Sequence, residues 1–221
     1  RDRRRAPAVT RSPVLIFDFG NVVAHFDYGR AAERFGRVLG LSSSEFARKV
    51  ADAGFLELLK GYESGRLSSD AFHLRICEMT GLACDFDRFA EDWRHIFWAN
   101  EPVHRLIDAL RGLGYTLVLG SNTNPLHAAH FREQFAEVLR HFDRLVLSFE
   151  VGHVKPAAEF YIACATAAGR PPGECVFIDD LAENVQGANR AGLVGVHYRT
   201  VPLLLEDLRA SGVEIPIDFP R

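Results

Sequence analysis

The stretch that decides the fold is VLIFDFGNVV, residues 14–23, in which a short apolar run ends at an aspartate. A continuous apolar run, as opposed to an alternating one, is typical of a strand buried on both faces of a parallel sheet. Asp18 then lies at the carboxyl end of that strand, and position 20 holds glycine. Ligands of open α/β sheets bind at the carboxyl ends of the strands, so this turn is the first candidate for a site.

Later segments repeat the apolar run and alternate with helical patterns. Strands are predicted at residues 14–17, 116–119, 145–147, 176–178 and 194–197, and helices at residues 126–139, 157–168 and 182–191. Strand, helix and strand in alternation imply right-handed crossovers. We therefore predict an α/β fold with a doubly wound parallel sheet.

The first connection is longer than a crossover needs, because residues 102–113 suffice as its helix. A structureless loop filling the remainder would be uncommon in a compact domain, so we expect a folded insertion. Ser42 and Glu45 have the spacing of a capping box, and Asp70 opens a segment with one apolar face, which predicts helices. The predicted division is a frayed tail (1–12), an α/β core (13–27 and 98–221) and a helical cap (28–97).

Composition excludes several classes of protein. The chain has 221 residues, of which 48% are hydrophobic, and a formal net charge of -3, so a buried core is expected and nucleic acid or an anionic membrane is not. No apolar run approaches the ~20 residues that span a bilayer. The cysteines lack zinc-site spacing, and the arginine-rich start lacks the apolar stretch of a secretory signal. We expect a cytoplasmic monomer or homodimer whose partner is a small molecule.

Polar side chains follow the predicted strands at one edge of the sheet: Asp18, Ser121, Asn122, Lys155, Asp179 and Asp180. Clustered carboxylates repel one another unless a cation lies between them, and Mg²⁺ is a hard ion that prefers oxygen ligands. Ser121 can donate to phosphate oxygens, and Lys155 can neutralise phosphoryl charge. Asp18 would then be a nucleophile that passes through an aspartyl-phosphate.

The ordered motifs DFGNV, LVLGSNTN, VGHVKP and VFIDDLAENV resemble those of the haloacid dehalogenase superfamily, in the branch with a helical cap inserted after the first strand. The resemblance runs from residue 13 to about residue 209. Within that superfamily, the chain is similar to bacterial sugar-phosphate phosphatases related to glucose-1-phosphate phosphatase, and to the amino-terminal phosphatase domain of soluble epoxide hydrolases. It implies a Mg²⁺-dependent phosphatase acting on a small phosphate ester, most readily a sugar phosphate.

The resemblance also implies a role for each residue of the motifs. Asp18 is the implied nucleophile, and Lys155 stabilises it and the phosphoryl group. The implied metal ligands are Asp18, the carbonyl of Gly20 and Asp180, with Asp179 as a further ligand or as a partner of the ligands. The implied phosphate-binding residues are Ser121, Asn122 and Lys155.

Gly20 departs from the resemblance, because the typical phosphatase has there an aspartate that protonates the leaving alcohol. Loss of a general acid costs ~10²–10⁴ in rate. The anomeric phosphate of a sugar needs that proton less, which agrees with a sugar 1-phosphate. The nearest replacement donors are His25 and Asp27, and both also fit an ordinary turn.

The cap offers a second group of candidates. Its turn KGYESGRLSSD carries Tyr62, Glu63 and Arg66, which contact the leaving group if the cap lowers this turn onto the site, or else remain solvated. The many cap aromatics are predicted to form its core.

Two other functions fit the same motifs. One is a binding or regulatory module with little catalysis. The other is a metal-free dehalogenase, which also lacks the acid but has no need of paired residues such as Asp179 and Asp180.

Overall fold

The computed structural model describes residues 12–216 and residue 219, and the structural statements below concern these residues. Its strands are β1 (Val14–Phe17), β2 (Ala24–Phe26), β3 (Phe97–Ala99), β4 (Leu117–Ser121), β5 (Arg144–Leu147), β6 (Cys175–Asp179) and β7 (Val194–His197). Its helices are α1 (Gly29–Leu39), α2 (Ser43–Asp52), α3 (Phe55–Glu63), α4 (Ser69–Thr80), α5 (Phe86–Arg94), α6 (Glu101–Gly112), α7 (Pro125–Gln134), α8 (Ala136–Leu139), α9 (Ser148–Val151), α10 (Ala158–Ala168), α11 (Ala182–Arg190) and α12 (Val201–Ala210), with a 3₁₀ turn at Pro172–Glu174. The predicted tail lies outside the described residues except for Ser12.

Strand β1 is the centre of a parallel five-stranded sheet with the order β5-β4-β1-β6-β7. Phe17 pairs with Leu119 of β4 on one side and with Ile178 of β6 on the other. The chain runs outward from β1 through β4 and β5 and then returns to β6 on the opposite side. The sheet therefore has a switch point at the carboxyl end of β1, which is where ligands bind in such folds. The predicted doubly wound α/β sheet is confirmed.

The apolar run of β1 is continuous because both faces of the sheet are covered. Leu15 and Phe17 pack into the core with helices α6 and α12, whereas Val14 and Ile16 pack on the other face with α10 and α11. All four side chains are fully buried. Each such burial contributes roughly 1.5–3 kcal/mol relative to exposure, so the run itself places β1 inside the sheet.

Helices α1 to α5 occupy the segment that was predicted to be a cap, and we call them the cap helices. Helix α2 begins with the predicted capping box, in which the Glu45 amide donates to Ser42 Oγ at 3.3 Å and the Ser42 amide donates to the Glu45 carboxylate at 2.8 Å. The ring pair Tyr62–Phe72 stacks with centroids 4.3 Å apart inside the cap, as expected of a core. The division of the chain into core and cap remains a prediction.

Two features differ from the prediction. The single helix expected at residues 126–139 is divided into α7 and α8 at Phe135, which leaves helical geometry and packs its buried ring on Phe19. Strands β2 and β3 were not predicted, because strands of only three residues leave little periodic signal. They pair antiparallel where the chain enters and leaves the cap helices, and we call this pair the neck.

Across residues 12–216, no helix is both long enough and apolar enough to cross a bilayer. The cytoplasmic location and the oligomeric state remain predictions.

Candidate active site

The site is organised around a buried lysine between two aspartates. Lys155 Nζ lies 2.7 Å from Asp18 Oδ1 and 2.7 Å from Asp179 Oδ2, and all three residues are buried. Asp18 follows the central strand β1, Asp179 ends β6, and Lys155 stands before α10. The sequence placed these residues at one edge of the sheet, and the structure brings them into contact.

The charges of this group are strongly coupled. Burial raises the pKa of the Asp18 carboxyl, and the Asp179 carboxylate raises it further, whereas Lys155 acts in the opposite direction. Burial alone would lower the pKa of Lys155, but the carboxylates of Asp18 and Asp179 raise it above its usual range. Lys155 is therefore a permanent cation between two acids.

Asp179 is turned toward the protein interior. Besides Lys155, it accepts hydrogen bonds from the Leu181 amide at 2.9 Å and from Asn184 Nδ2 at 3.0 and 3.2 Å. Its two oxygens are thus fully engaged by protein donors. The sequence left two roles open for Asp179. These contacts favour the role of a partner that positions Lys155, and they disfavour the role of a metal ligand.

The remaining acid, Asp180, is held by residues that the sequence analysis did not identify. Asn21 donates its amide to Asp180 Oδ2 at 3.1 Å, and His197 Nε2 donates to the Asp180 carbonyl at 2.9 Å. Asn21 has φ +56°, a left-handed conformation that asparagine adopts more readily than most residues. The turn DFGNV therefore carries a second functional side chain, and the asparagine after the glycine was its only signal.

The donor set fits Mg²⁺. Carboxylate oxygens of Asp18, Asp179 and Asp180 lie within 4.8 Å of one another, and Gly20 borders the same space with its backbone. Three carboxyl groups face one ammonium, so their full ionisation leaves an excess of negative charge. A hard divalent cation bound to Asp18, Asp180 and the Gly20 carbonyl would neutralise that excess with oxygen ligands only.

These groups open into a cavity of about 240 Å³. The predicted site residues on its wall are Asp18, Gly20, Ser121, Asn122, Lys155 and Asp180. The cap and neck contribute the opposite wall, with Phe26, Tyr28, Leu59 and Glu63. The cavity therefore lies between the sheet edge and the cap helices.

Asn122 has a task that was not expected. Its Oδ1 accepts a hydrogen bond from the Lys155 amide at 2.8 Å, and its Nδ2 donates to the Lys155 carbonyl at 3.2 Å. Both polar atoms of the side chain thus hold the backbone of the lysine. Its predicted contact with phosphate remains a prediction, and it would compete with this pair.

Residues 13–192 match the haloacid dehalogenase-like hydrolase family. The chain belongs to that family. Its membership confirms both the resemblance seen in the four motifs and the prediction of a hydrolase.

Three known proteins of this family show how far the similarity extends. D-ribitol-5-phosphate phosphatase of Bacteroides thetaiotaomicron is 29% identical over 186 residues, which are 80% of this chain and 87% of that protein. Bifunctional epoxide hydrolase 2 of Rattus norvegicus is 30% identical over 122 residues, which are 53% of this chain and only 22% of that protein. A HAD family enzyme of Bacteroides thetaiotaomicron, solved in complex with magnesium and inorganic phosphate, has a TM-score of 0.72 and 25% identity, covering 86% of this chain and 96% of that one.

Gly20 stands where the resemblance led us to expect an acid, and the structure shows what fills that space. A Cβ atom on Gly20 would lie 2.8 Å from Cε1 of Phe26 and 3.2 Å from its Cδ1. The Phe26 ring, from the neck, therefore occupies the space into which an aspartate side chain would start. The acid is not only absent but replaced by an apolar ring.

The two replacement donors suggested by the sequence lie elsewhere. Among the described residues, neither His25 nor Asp27 belongs to the cavity wall. His25 packs its ring on Trp98, with centroids 5.7 Å apart, and Asp27 is exposed and accepts a hydrogen bond from the Gly29 amide at 2.7 Å. His25 is thus a strand residue of the neck, and Asp27 belongs to the turn that leads into α1.

The three candidate residues of the cap turn lie in different environments. Tyr62 is fully buried and shares a hydrogen bond with Ser69 at 2.7 Å, and Arg66 is exposed. Glu63 alone of the three candidates borders the cavity.

The contact between Gly20 and Phe26 can be measured by stability. We expect Gly20→Ala to lower the free energy of unfolding by about 1–3 kcal/mol, because the added methyl group overlaps the ring. In a Phe26→Ala background the same change should cost less, since the ring is gone. Urea unfolding of the four proteins gives both values. Gly61→Ala in α3, where a Cβ meets nothing within 4 Å, is the control and should not destabilise. Equal costs in both backgrounds would refute the contact.

Proposed function

We propose that this hydrolase is a Mg²⁺-dependent phosphatase of a small phosphorylated metabolite, with a sugar phosphate as its substrate. The observation that carries the proposal is the ion pair of Asp18 with Lys155 on the wall of a cavity that also holds Asp180. A relative named for D-ribitol 5-phosphate and a similar structure with magnesium and phosphate support the substrate class and the metal.

Asp18 is the proposed nucleophile. Its Oδ1 accepts hydrogen bonds from Lys155 Nζ and from the Phe19 amide, each at 2.7 Å. These contacts fix the carboxylate through Oδ1, so that Asp18 would offer one oxygen to the phosphorus and the other to the metal. Attack forms the bond between Asp18 and phosphorus and breaks the ester bond, so the leaving oxygen must take up a proton.

Water completes the reaction by attacking the phosphorus of the aspartyl-phosphate, which releases inorganic phosphate and restores the Asp18 carboxylate. Ser121 and Lys155 both line the cavity. Ser121 would donate a hydrogen bond to a phosphoryl oxygen, and Lys155 would neutralise phosphoryl charge, in both steps. When bound, Mg²⁺ would supply positive charge between the acids and the phosphate. Asp179 and Asn122 act indirectly, because they hold the side chain and the backbone of Lys155.

A panel of phosphate esters tests the proposal. Sugar 1-phosphates, sugar 5- and 6-phosphates, a nucleotide and p-nitrophenyl phosphate are assayed with Mg²⁺ and with a chelator. We expect turnover of at least one sugar phosphate with Mg²⁺ and its loss with the chelator. Metal binding without turnover of any ester would instead favour a binding module.

The metal site has its own readout in thermal unfolding. Mg²⁺ should raise Tm, because a ligand that binds only the folded state stabilises it. Asp180→Asn should reduce that rise, since it removes a charged oxygen from the cavity wall. Glu183→Gln, an exposed acid on α11, is the matched control and should keep the rise. If Asp180→Asn keeps the full rise, the assignment of the metal site is wrong.

A further inference from the structure

The proposed reaction needs a proton at the leaving oxygen, and the position that usually supplies it is Gly20 beneath the Phe26 ring. The donor must border the cavity and carry an acidic hydrogen. Within the described part of the chain, the titratable side chains on the cavity wall are Asp18, Tyr28, Glu63, His127, Lys155 and Asp180. Asp18, Lys155 and Asp180 are already engaged as nucleophile, counter-ion and metal ligand.

His127 has no free ring nitrogen. Its Nδ1 lies 2.9 Å from Asn124 Nδ2, and its Nε2 lies 3.1 Å from the carbonyl oxygen of Trp93. A carbonyl only accepts, so Nε2 carries the hydrogen and Nδ1 accepts from the amide. Burial lowers the pKa of His127 to about 3, so the ring stays neutral. It is a structural residue that joins α7 to the end of α5.

Tyr28 is a poor acid at this site. Burial raises the pKa of its phenol well above the usual value, and the neighbouring Glu63 carboxyl raises it further. An efficient general acid has a pKa near the working pH, so the phenol retains its proton where a carboxylic acid would give it up.

Glu63 is the remaining group. It is the last residue of α3, it borders the cavity, and within residues 12–216 its carboxyl group forms no hydrogen bond or ion pair. Burial raises the pKa of Glu63 to about 7, although Lys155 acts in the opposite direction. A carboxyl group of this kind is partly protonated at neutral pH and is free to donate.

The turn after Glu63 is docked on the core. Gly65 has φ +71°, and a Cβ there would lie 2.4 Å from the carbonyl oxygen of Phe149 in α9. Only glycine permits this approach of the two backbones. This close contact packs the turn after α3 against the core, and Glu63 at the end of that helix lies at the cavity.

We propose that Glu63, brought by the cap, is the catalytic acid that protonates the leaving oxygen of the ester. Its proton passes to that oxygen as the bond to phosphorus breaks. The resulting carboxylate then takes a proton from the water that attacks the aspartyl-phosphate, which restores the acid. The inference rests on the proposed phosphatase function, and it makes the proton depend on the packing of the turn after α3 against α9.

The leaving group separates this role from others. Glu63→Gln is assayed on p-nitrophenyl phosphate and on the alkyl phosphate that the wild-type protein turns over fastest. Nitrophenolate departs without a proton, whereas an alkoxide requires one. We expect kcat/KM to fall by about 10²–10⁴ for the alkyl phosphate and to change little for the aryl phosphate. Because kcat/KM reports only the steps up to formation of the aspartyl-phosphate, it is not affected when the variant also lacks the carboxylate that would accept a proton from water in the second step.

Glu57→Gln is the matched control, because Glu57 is an exposed acid on the same helix. It should leave both kcat/KM values unchanged. Equal losses of Glu63→Gln on both esters would overturn the proposal in favour of a binding role, and so would undiminished turnover of the alkyl phosphate. Absence of turnover on every ester by the wild-type protein would instead refute the phosphatase function itself.

The protonation of Glu63 has a readout that needs no substrate. Burial raises the pKa of Glu63 from its ordinary value of 4.5 to about 7 in the folded protein, so the stability it contributes is fully present below pH 4.5 and is lost as the pH rises through 7. The difference in Tm between the wild type and Glu63→Gln should therefore shift against the wild type between pH 5 and 8. Lys155 and Tyr28 act on Glu63 or are acted on by it, and neither changes charge in this interval. Burial raises the pKa of Asp18, on the same cavity wall, to about 8, and it raises the pKa of Asp180, but both acids are present in both proteins and their titration is common to the two Tm values. A Tm difference that is constant with pH would show that Glu63 is ionised throughout and would overturn the proposal.

Discussion

Asp18→Asn is expected to reduce turnover of the best phosphate ester by on the order of 10⁴-fold or more, the loss that follows removal of a covalent nucleophile. The asparagine amide has the shape of the carboxylate but does not attack phosphorus. Lys155 keeps its ion pair with Asp179 in this variant, so the fold should persist. The measurement is kcat, together with phosphorylated protein trapped by acid quench from a ³²P-labelled ester.

Asp52→Asn, an exposed acid near the end of α2, is the control and should retain both turnover and label. The wild-type protein should be labelled and Asp18→Asn should not. A labelled Asp18→Asn protein would place the phosphoryl group on another residue and would contradict the mechanism.

Lys155→Met is expected to lower the free energy of unfolding by about 3–5 kcal/mol, the usual cost of leaving a buried charge without its partner. The change strands Asp18 and Asp179, whose carboxylates each lie 2.7 Å from Nζ. Methionine fills a similar volume, so the loss reports charge more than packing. Urea unfolding measures it, and turnover should be lost as well because phosphoryl charge is no longer neutralised.

Lys60→Met on the exposed face of α3 is the matched control and should change stability little. Adding Asp179→Asn to Lys155→Met should recover part of the lost stability, since one of the two stranded charges is removed. A Lys155→Met protein as stable as the wild type would show that the three charges are not coupled as described.

Both predictions follow from one property of the site. Three acids gathered around one buried lysine store repulsion that a substrate or cation can relieve. Sites that bind charged ligands often have this character, because the groups that favour the ligand disfavour one another without it.

The strand ends were predictable because their signal is local. Continuous apolar runs marked β1 and its neighbours, and in parallel strands the next polar residues meet at one edge. Asp18, Lys155 and Asp180 could therefore be assigned to one site from the sequence alone. The neck was missed because its short strands have no periodic pattern.

The roles within the site depended on contacts between distant segments. The sequence could not show that Asn122 holds the Lys155 backbone, or that Asn21 orients Asp180, because amide side chains are equally at home in solvated turns. It left the function of Asp179 open, and the hydrogen bonds from Asn184 and Leu181 favour a partner of Lys155 rather than a metal ligand.

The sequence by itself determined the sheet, the family and the absence of an acid at Gly20, since each is recorded in the order of residues along a strand and the turn after it. Only the tertiary structure decided what stands in place of that acid. The Phe26 ring closes the space above Gly20, and Gly65 docks the cap turn so that Glu63 borders the cavity. The first contact depends on how the neck folds back over the turn after β1, and the second joins α9 to the turn after α3 across a long stretch of chain, so neither is recorded in the local order of residues.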